Sequence, residues 1–157
     1  MKIKLLAIGK TDDKHLLQLI DVYQKRLQHY IKFEMEILPD IKNVKNLSEA
    51  QQKEKEGELV LKKLQNTDEL ILLDDKGKQF TSIEFSQYLQ KKMNSGIKQL
   101  VLLIGGPYGF SEPIYKKASG KISLSKMTFS HQMIRLFIVE QVYRGFTILK
   151  NEPYHHE

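Results

Sequence analysis

The 157-residue sequence contains no cysteine. That absence excludes disulfides, zinc-thiolate clusters and thiol nucleophiles, so any chemistry falls to oxygen and nitrogen groups. It also lacks an apolar run approaching the ~20 residues that cross a bilayer. The opening stretch from Met1 to Lys10 has no long apolar segment followed by a small-residue cleavage site. A cytoplasmic protein with no membrane partner is expected. Internal repeats, low-complexity tracts and linkers are missing too, which favours a single domain spanning 1–157. A chain of this length buries roughly two-thirds of its unfolded surface, enough for a real core.

What is present is an uneven distribution of charge. Residues 1–78 hold 15 Lys/Arg against 14 Asp/Glu, and residues 79–157 hold 10 against 5, so the second half carries most of the net charge of +6. A basic half suits a polyanionic partner, because each neutralised phosphate releases counterions. It also suits a lysine-rich solvated surface, and from charge alone that is the stronger reading.

The apolar pattern alternates between strand and helix. Residues 2–8 form a short apolar run closed by Gly9, a buried first strand. Leu16, Leu19, Ile20, Tyr23, Leu27 and Tyr30 recur at three- and four-residue steps and mark the inner face of a helix. Phe33, Met35 and Ile37 alternate with charged residues, as in a strand near a sheet edge. Ser48 with Gln51, and Thr81 with Glu84, have the spacing of capping boxes for two further helices. Residues 69–75 and 99–106 read as buried strands, with Lys76-Gly77-Lys78 turning the chain after the first. Ser111 caps a short helix, residues 121–125 supply a last strand, and His131 to Leu149 closes the chain as a helix with Ile134, Phe137, Ile138 and Val142 inward. The expected fold is therefore α/β, a mostly parallel sheet with helices on both faces.

Three segments follow expected strands, where open parallel sheets place their ligands. They are Leu72-Leu73-Asp74, Gly105-Gly106-Pro107-Tyr108-Gly109, and Leu124-Ser125-Lys126-Met127-Thr128-Phe129. Glycines after a strand let backbone approach a ligand closely, but they also make tight turns. On spacing alone the turn is favoured, since the run matches neither a dinucleotide nor a phosphate-loop fingerprint. The third segment mixes apolar walls with small hydroxyls, which suits an adenine slot or an ordinary connection. His131 has the chemistry of a base and the position of a helix cap, while Arg135 and Arg144 offer phosphate contacts or, more simply, a salt bridge with Glu140. Tyr154, His155 and His156 lie in the last four residues, where chains normally fray and contribute little to a core. In an RNA enzyme such a tyrosine stacks on an extruded base and such a histidine contacts it.

Taken together, residues 2–10 (KIKLLAIGK), 72–78 (LLDDKGK), 102–110 (LLIGGPYGF) and the block from Ser123 to Glu157 resemble the RlmH family of ribosomal RNA methyltransferases in order, spacing and length. The resemblance implies the SPOUT class, an α/β fold with a C-terminal trefoil knot that periodicity does not reveal. It further implies a homodimer that uses S-adenosyl-L-methionine to methylate N3 of a pseudouridine in large-subunit (23S) ribosomal RNA on the assembled ribosome, with no metal. Matched motif to motif, the cofactor is expected at Leu73, Gly105, Leu124, Ser125, Lys126, Met127, Thr128 and Phe129. His131, Arg144, Tyr154 and His155 are expected to hold or deprotonate the base. The family often carries an arginine where this chain has His156. A flavin or nucleotide binder and a non-catalytic ribosome-binding protein are the competing classes.

Overall fold

The computed structural model describes residues 1–156. The elements are β1 (Lys2–Ile8), α1 (Lys14–Leu27), β2 (Phe33–Leu38), a single 3-10 turn (Val44–Asn46), α2 (Glu49–Lys63), β3 (Asp68–Gln79), α3 (Ser82–Asn94), β4 (Gln99–Ile104), α4 (Glu112–Lys117), β5 (Gly120–Ser123) and α5 (Met133–Leu149). The sheet runs β2-β1-β4-β3-β5, and every pairing in it is parallel.

Side chains alternate across a strand, so each buried strand feeds two cores. Ile3, Leu5 and Ala7 of β1, with Leu100, Leu102 and Ile104 of β4, face Ile20 and Leu27 of α1, Phe85 and Leu89 of α3, and Ile138, Val142 and Phe146 of α5. Leu6, Ile8, Val101 and Leu103 on the other face meet Val60 of α2 and Ile114 of α4. Both capping boxes form: Ser48 and Thr81 each accept from the N–H three residues on, and the Gln51 and Glu84 side chains return the contact. The strand at 33–38 lies at a sheet edge, where Glu36 pairs with Lys4 at 2.7 Å and Lys63 at 2.8 Å.

Three expectations need correction. Lys76-Gly77-Lys78 does not turn the chain; it continues β3, which breaks register between Leu73 and Lys78 so that Ile122 of β5 pairs with both. Gly77 permits this, since a Cβ there would lie 2.5 to 2.8 Å from the backbone N, Cα and C of Ile122. Leu19 is 47% exposed, because Ile20 and Leu27 supply the deeply buried line of α1. In α5, Ile138 and Val142 are buried as expected, while Ile134 and Phe137 are only half-buried.

Candidate active site

The C-terminal ends of β3, β4 and β5 open into a cavity of about 370 Å³. Seven of the eight residues expected to meet a cofactor line it: Leu73, Gly105, Leu124, Ser125, Met127, Thr128 and Phe129. Lys126 is exposed on the same loop and does not line it. Of the residues expected to handle a base, His131 lines the cavity, whereas Arg144, Tyr154 and His155 do not.

The glycine loop serves both readings of its sequence. The Gly109 N–H donates to the Gly106 carbonyl at 3.2 Å, closing a tight turn around Pro107 and Tyr108, and Gly109 sits at φ +80°. The same loop supplies Gly105 and Gly106 to the cavity wall. The next wall is pinned by hydroxyls: Ser123 Oγ donates to the Ser125 carbonyl at 2.7 Å, and Ser125 Oγ accepts from the Met127 N–H at 2.9 Å. Phe129 packs against Phe137, 4.9 Å between ring centres, and separates the cavity from a smaller apolar one lined by Phe80, Phe85, Phe137 and Gln141.

Asp74 is one of the charged groups at the cavity wall. Burial favours the neutral acid, but hydrogen bonds from the Lys76 N–H and the Tyr115 hydroxyl, both 2.8 Å, outweigh it and hold the carboxyl below its ordinary range. Burial and the Asp74 contact push Tyr115 up to about 12, so at neutral pH the hydroxyl keeps its proton and donates. Tyr115 gives no signal in the sequence, being a lone aromatic in a six-residue helix. Asp75, expected as the end of a strand, and Lys76, expected in a turn, also line the cavity.

Arg135 makes neither a phosphate contact nor a salt bridge. It is 1% exposed and donates to the Ile8 carbonyl at 2.7 Å and to Thr11 Oγ1 at 2.8 Å, tying the start of α5 to the loop after β1. Gln132 supports the same junction by accepting from the Asp12 N–H at 3.0 Å. Arg144 does form the expected salt bridge to Glu140, at 2.6 Å.

The tail is docked rather than frayed, contrary to the expectation for a chain end. Tyr154 donates to Glu140 at 3.0 Å, lies 3.2 Å from the Tyr23 hydroxyl, and sets its ring edge-on to Tyr143 and beneath the Arg144 guanidinium. His155 Nδ1 is 3.5 Å from Arg144 Nη1, and Tyr30 donates to Glu152. These contacts hold Arg144, Tyr154 and His155 in one cluster on the α1–α5 face. Ile134 at the cavity and Arg144 in the cluster are about 15 Å apart along the α5 axis.

A parallel sheet with a glycine-walled cavity at its strand ends has the arrangement in which open α/β folds place their ligands. The chain belongs to the SPOUT methyltransferase family: the model described as "Predicted SPOUT methyltransferase" matches residues 1–155. Membership implies the C-terminal trefoil knot and the use of S-adenosyl-L-methionine. More particularly, the chain is 74% identical to the "Ribosomal RNA large subunit methyltransferase H" of Flavobacterium johnsoniae over 157 residues, all of both chains. It is 73% and 69% identical to proteins of the same name from Flavobacterium psychrophilum and Parabacteroides distasonis, again across the full length of both.

Proposed function

We propose that this protein is an S-adenosyl-L-methionine-dependent methyltransferase acting on large-subunit ribosomal RNA, with N3 of a pseudouridine as the accepting atom. The observation that carries the reading is the convergence of three separate strand-end segments on one cavity, in a chain whose full-length relatives are named for this activity.

The cavity's chemistry fits the cofactor. Its volume lies within the usual range for small-molecule sites. Leu124, Met127 and Phe129 offer apolar walls for an adenine, and Gly105 and Gly106 leave backbone open to polar edges. Asp74, ionised at neutral pH, sets a negative charge where a cofactor with sulfonium and ammonium groups brings positive ones. When bound, the sulfonium supplies an electrophilic methyl group. The chain must then orient the base nitrogen toward it and take up its proton. His131, at the cavity wall, has an accepting ring nitrogen in its neutral form, and Arg144, Tyr154 and His155 have the groups to hold the base.

The whole chain acts as one domain, and the working unit is a homodimer in the cytoplasm that meets its substrate on the assembled ribosome. Two features support the dimer. Leu19, Val22 and Met133 leave apolar side chains exposed on α1 and α5. Arg144, Tyr154 and His155, suited to holding the base, lie away from the cavity of their own chain, so a second copy bringing its tail to that cavity completes the site.

The test is transfer of labelled methyl from S-adenosyl-L-methionine to 70S ribosomes, separate subunits and naked ribosomal RNA, all from cells lacking the enzyme. Label on a pseudouridine N3 of the large-subunit RNA in 70S particles is expected. Ribosome association without transfer points instead to a non-catalytic binder, and quenching of free flavin to a flavin protein.

A further inference from the structure

Glu56 is buried deeper than its setting in a highly charged helix leads one to expect: it is 3% exposed, whereas Glu54 and Glu58 on α2 are not buried. Its Oε1 accepts from the Gln52 side chain at 2.9 Å, and its Oε2 is buried without a hydrogen-bond partner among the described residues. The carboxyl lies against the back of Gly106, where a Cβ would fall 2.2 Å from Oε2 and 2.7 Å from the carboxyl carbon. Gly106 also lines the 370 Å³ cavity, so this one backbone unit has the cavity on one side and the Glu56 carboxyl on the other. The adjoining Gly57 lies against Ser111, whose hydroxyl is a second buried group without a partner. Helix α2 thereby touches both ends of the loop 105–111.

We propose that Glu56 is a positioning residue for the cofactor: its carboxyl, held by the Gln52 hydrogen bond, packs against the Gly106 backbone and keeps the loop in its ligand-holding form. The proposal rests on the cavity being the cofactor site. Burial is the largest influence on the Glu56 carboxyl and raises its pKa, the Asp40 charge adding to this and the Gln52 hydrogen bond and His131 opposing it. A neutral amide of the same shape should replace it, and an apolar chain of the same length should not.

The experiment compares Glu56→Gln and Glu56→Met with the wild type, using S-adenosyl-L-methionine calorimetry, steady-state kinetics on ribosomes and amide exchange of residues 105–110 in the unliganded protein. Glu56→Met avoids leaving a large void. It should lose about tenfold in cofactor affinity, the effect of one buried hydrogen bond. Its cofactor KM should rise in step, with kcat largely kept and faster exchange in the loop. Glu56→Gln should stay within about threefold of wild type in affinity, again on the scale of a retained hydrogen bond. Wild-type affinity in a folded Glu56→Met protein, or equal losses in both variants, overturns the proposal. If Glu56→Met does not fold, weak binding or fast loop exchange in a folded Glu56→Gln overturns it, and near-normal values for both uphold it. A wild-type protein that takes up no S-adenosyl-L-methionine sinks the cofactor reading and this proposal together, a result distinct from either failure above.

Discussion

The cavity and the docked tail are built in opposite ways. The cavity is made by backbone irregularity: a register break in β3, a short β5 and a glycine turn, with Asp74 the carboxylate held ionised at its wall. The tail cluster is made by side chains on regular helices, with Tyr23, Tyr143 and Tyr154 packed around Glu140 and Arg144. On the function proposed above, the first region holds the cofactor and the second, about 15 Å away along α5, holds the base. A site split in this way works only if two copies share it, so each region should fail separately and be replaceable separately.

The largest expected effect comes from Gly77→Val. The added side chain meets the backbone of Ile122 rather than a movable side-chain end, so β5 must shift. The cost should reach or exceed the ~3 kcal/mol upper range for overpacking, read as a lower denaturant midpoint together with loss of cofactor binding. A normal midpoint and normal binding mean that the β3–β5 junction does not hold the cavity.

Gly105→Val acts more locally, bringing a side chain within 2.9 Å of the Phe110 ring. About 1 to 3 kcal/mol of strain corresponds to about tenfold or more in cofactor affinity. Mixed with Tyr154→Ala, which leaves the cavity whole, it should regain methyl transfer in the heterodimers that carry one intact cavity and one intact tail. A protein that light scattering shows to be an active monomer removes the basis for that complementation.

Tyr154→Ala alone should lower methyl transfer about tenfold, the scale of one stacked base, with cofactor affinity unchanged. Tyr154→Phe separates the roles: it keeps the ring and loses the hydroxyl bond to Glu140. Because Tyr154 is packed, removing residues 154–157 should also cost about 1 kcal/mol of stability for a net hydrogen bond lost, read as a slightly lower melting temperature. Full activity in the truncated protein makes the tail a passive end.

The smallest effect is in acid. The folded pKa of Asp74 is depressed from 3.8, so its contribution to stability is complete above that value and is lost as pH falls through the lower folded one. As pH falls below 3.8 the wild type should lose more stability than Asp74→Asn. Parallel thermal melts check it; equal slopes mean that the Lys76 and Tyr115 contacts do not stabilise the carboxylate.

Local pattern was enough for much of this protein. The apolar runs of β1 and β4, the two capping boxes and the edge character of β2 are all properties of neighbouring residues, and they fix a parallel α/β sheet whose strand ends carry Leu73, Gly105 and residues 124–129. The long C-terminal block carried the family. What the sequence concealed depends on partners far along the chain. Gly77 looks like a turn until Ile122 lies against it, and Glu56 looks like one more surface acid until Gly106 packs on it. Arg135 looks like a salt-bridge or phosphate partner until Ile8 and Thr11 accept its hydrogens, and Tyr154 looks like a loose end until Tyr23 and Glu140 meet it. Helical and strand periodicities report only the few residues on either side. Burial of a charge, a register break and a docked terminus are decided by contacts 14 to 127 positions away, which only the folded chain brings together.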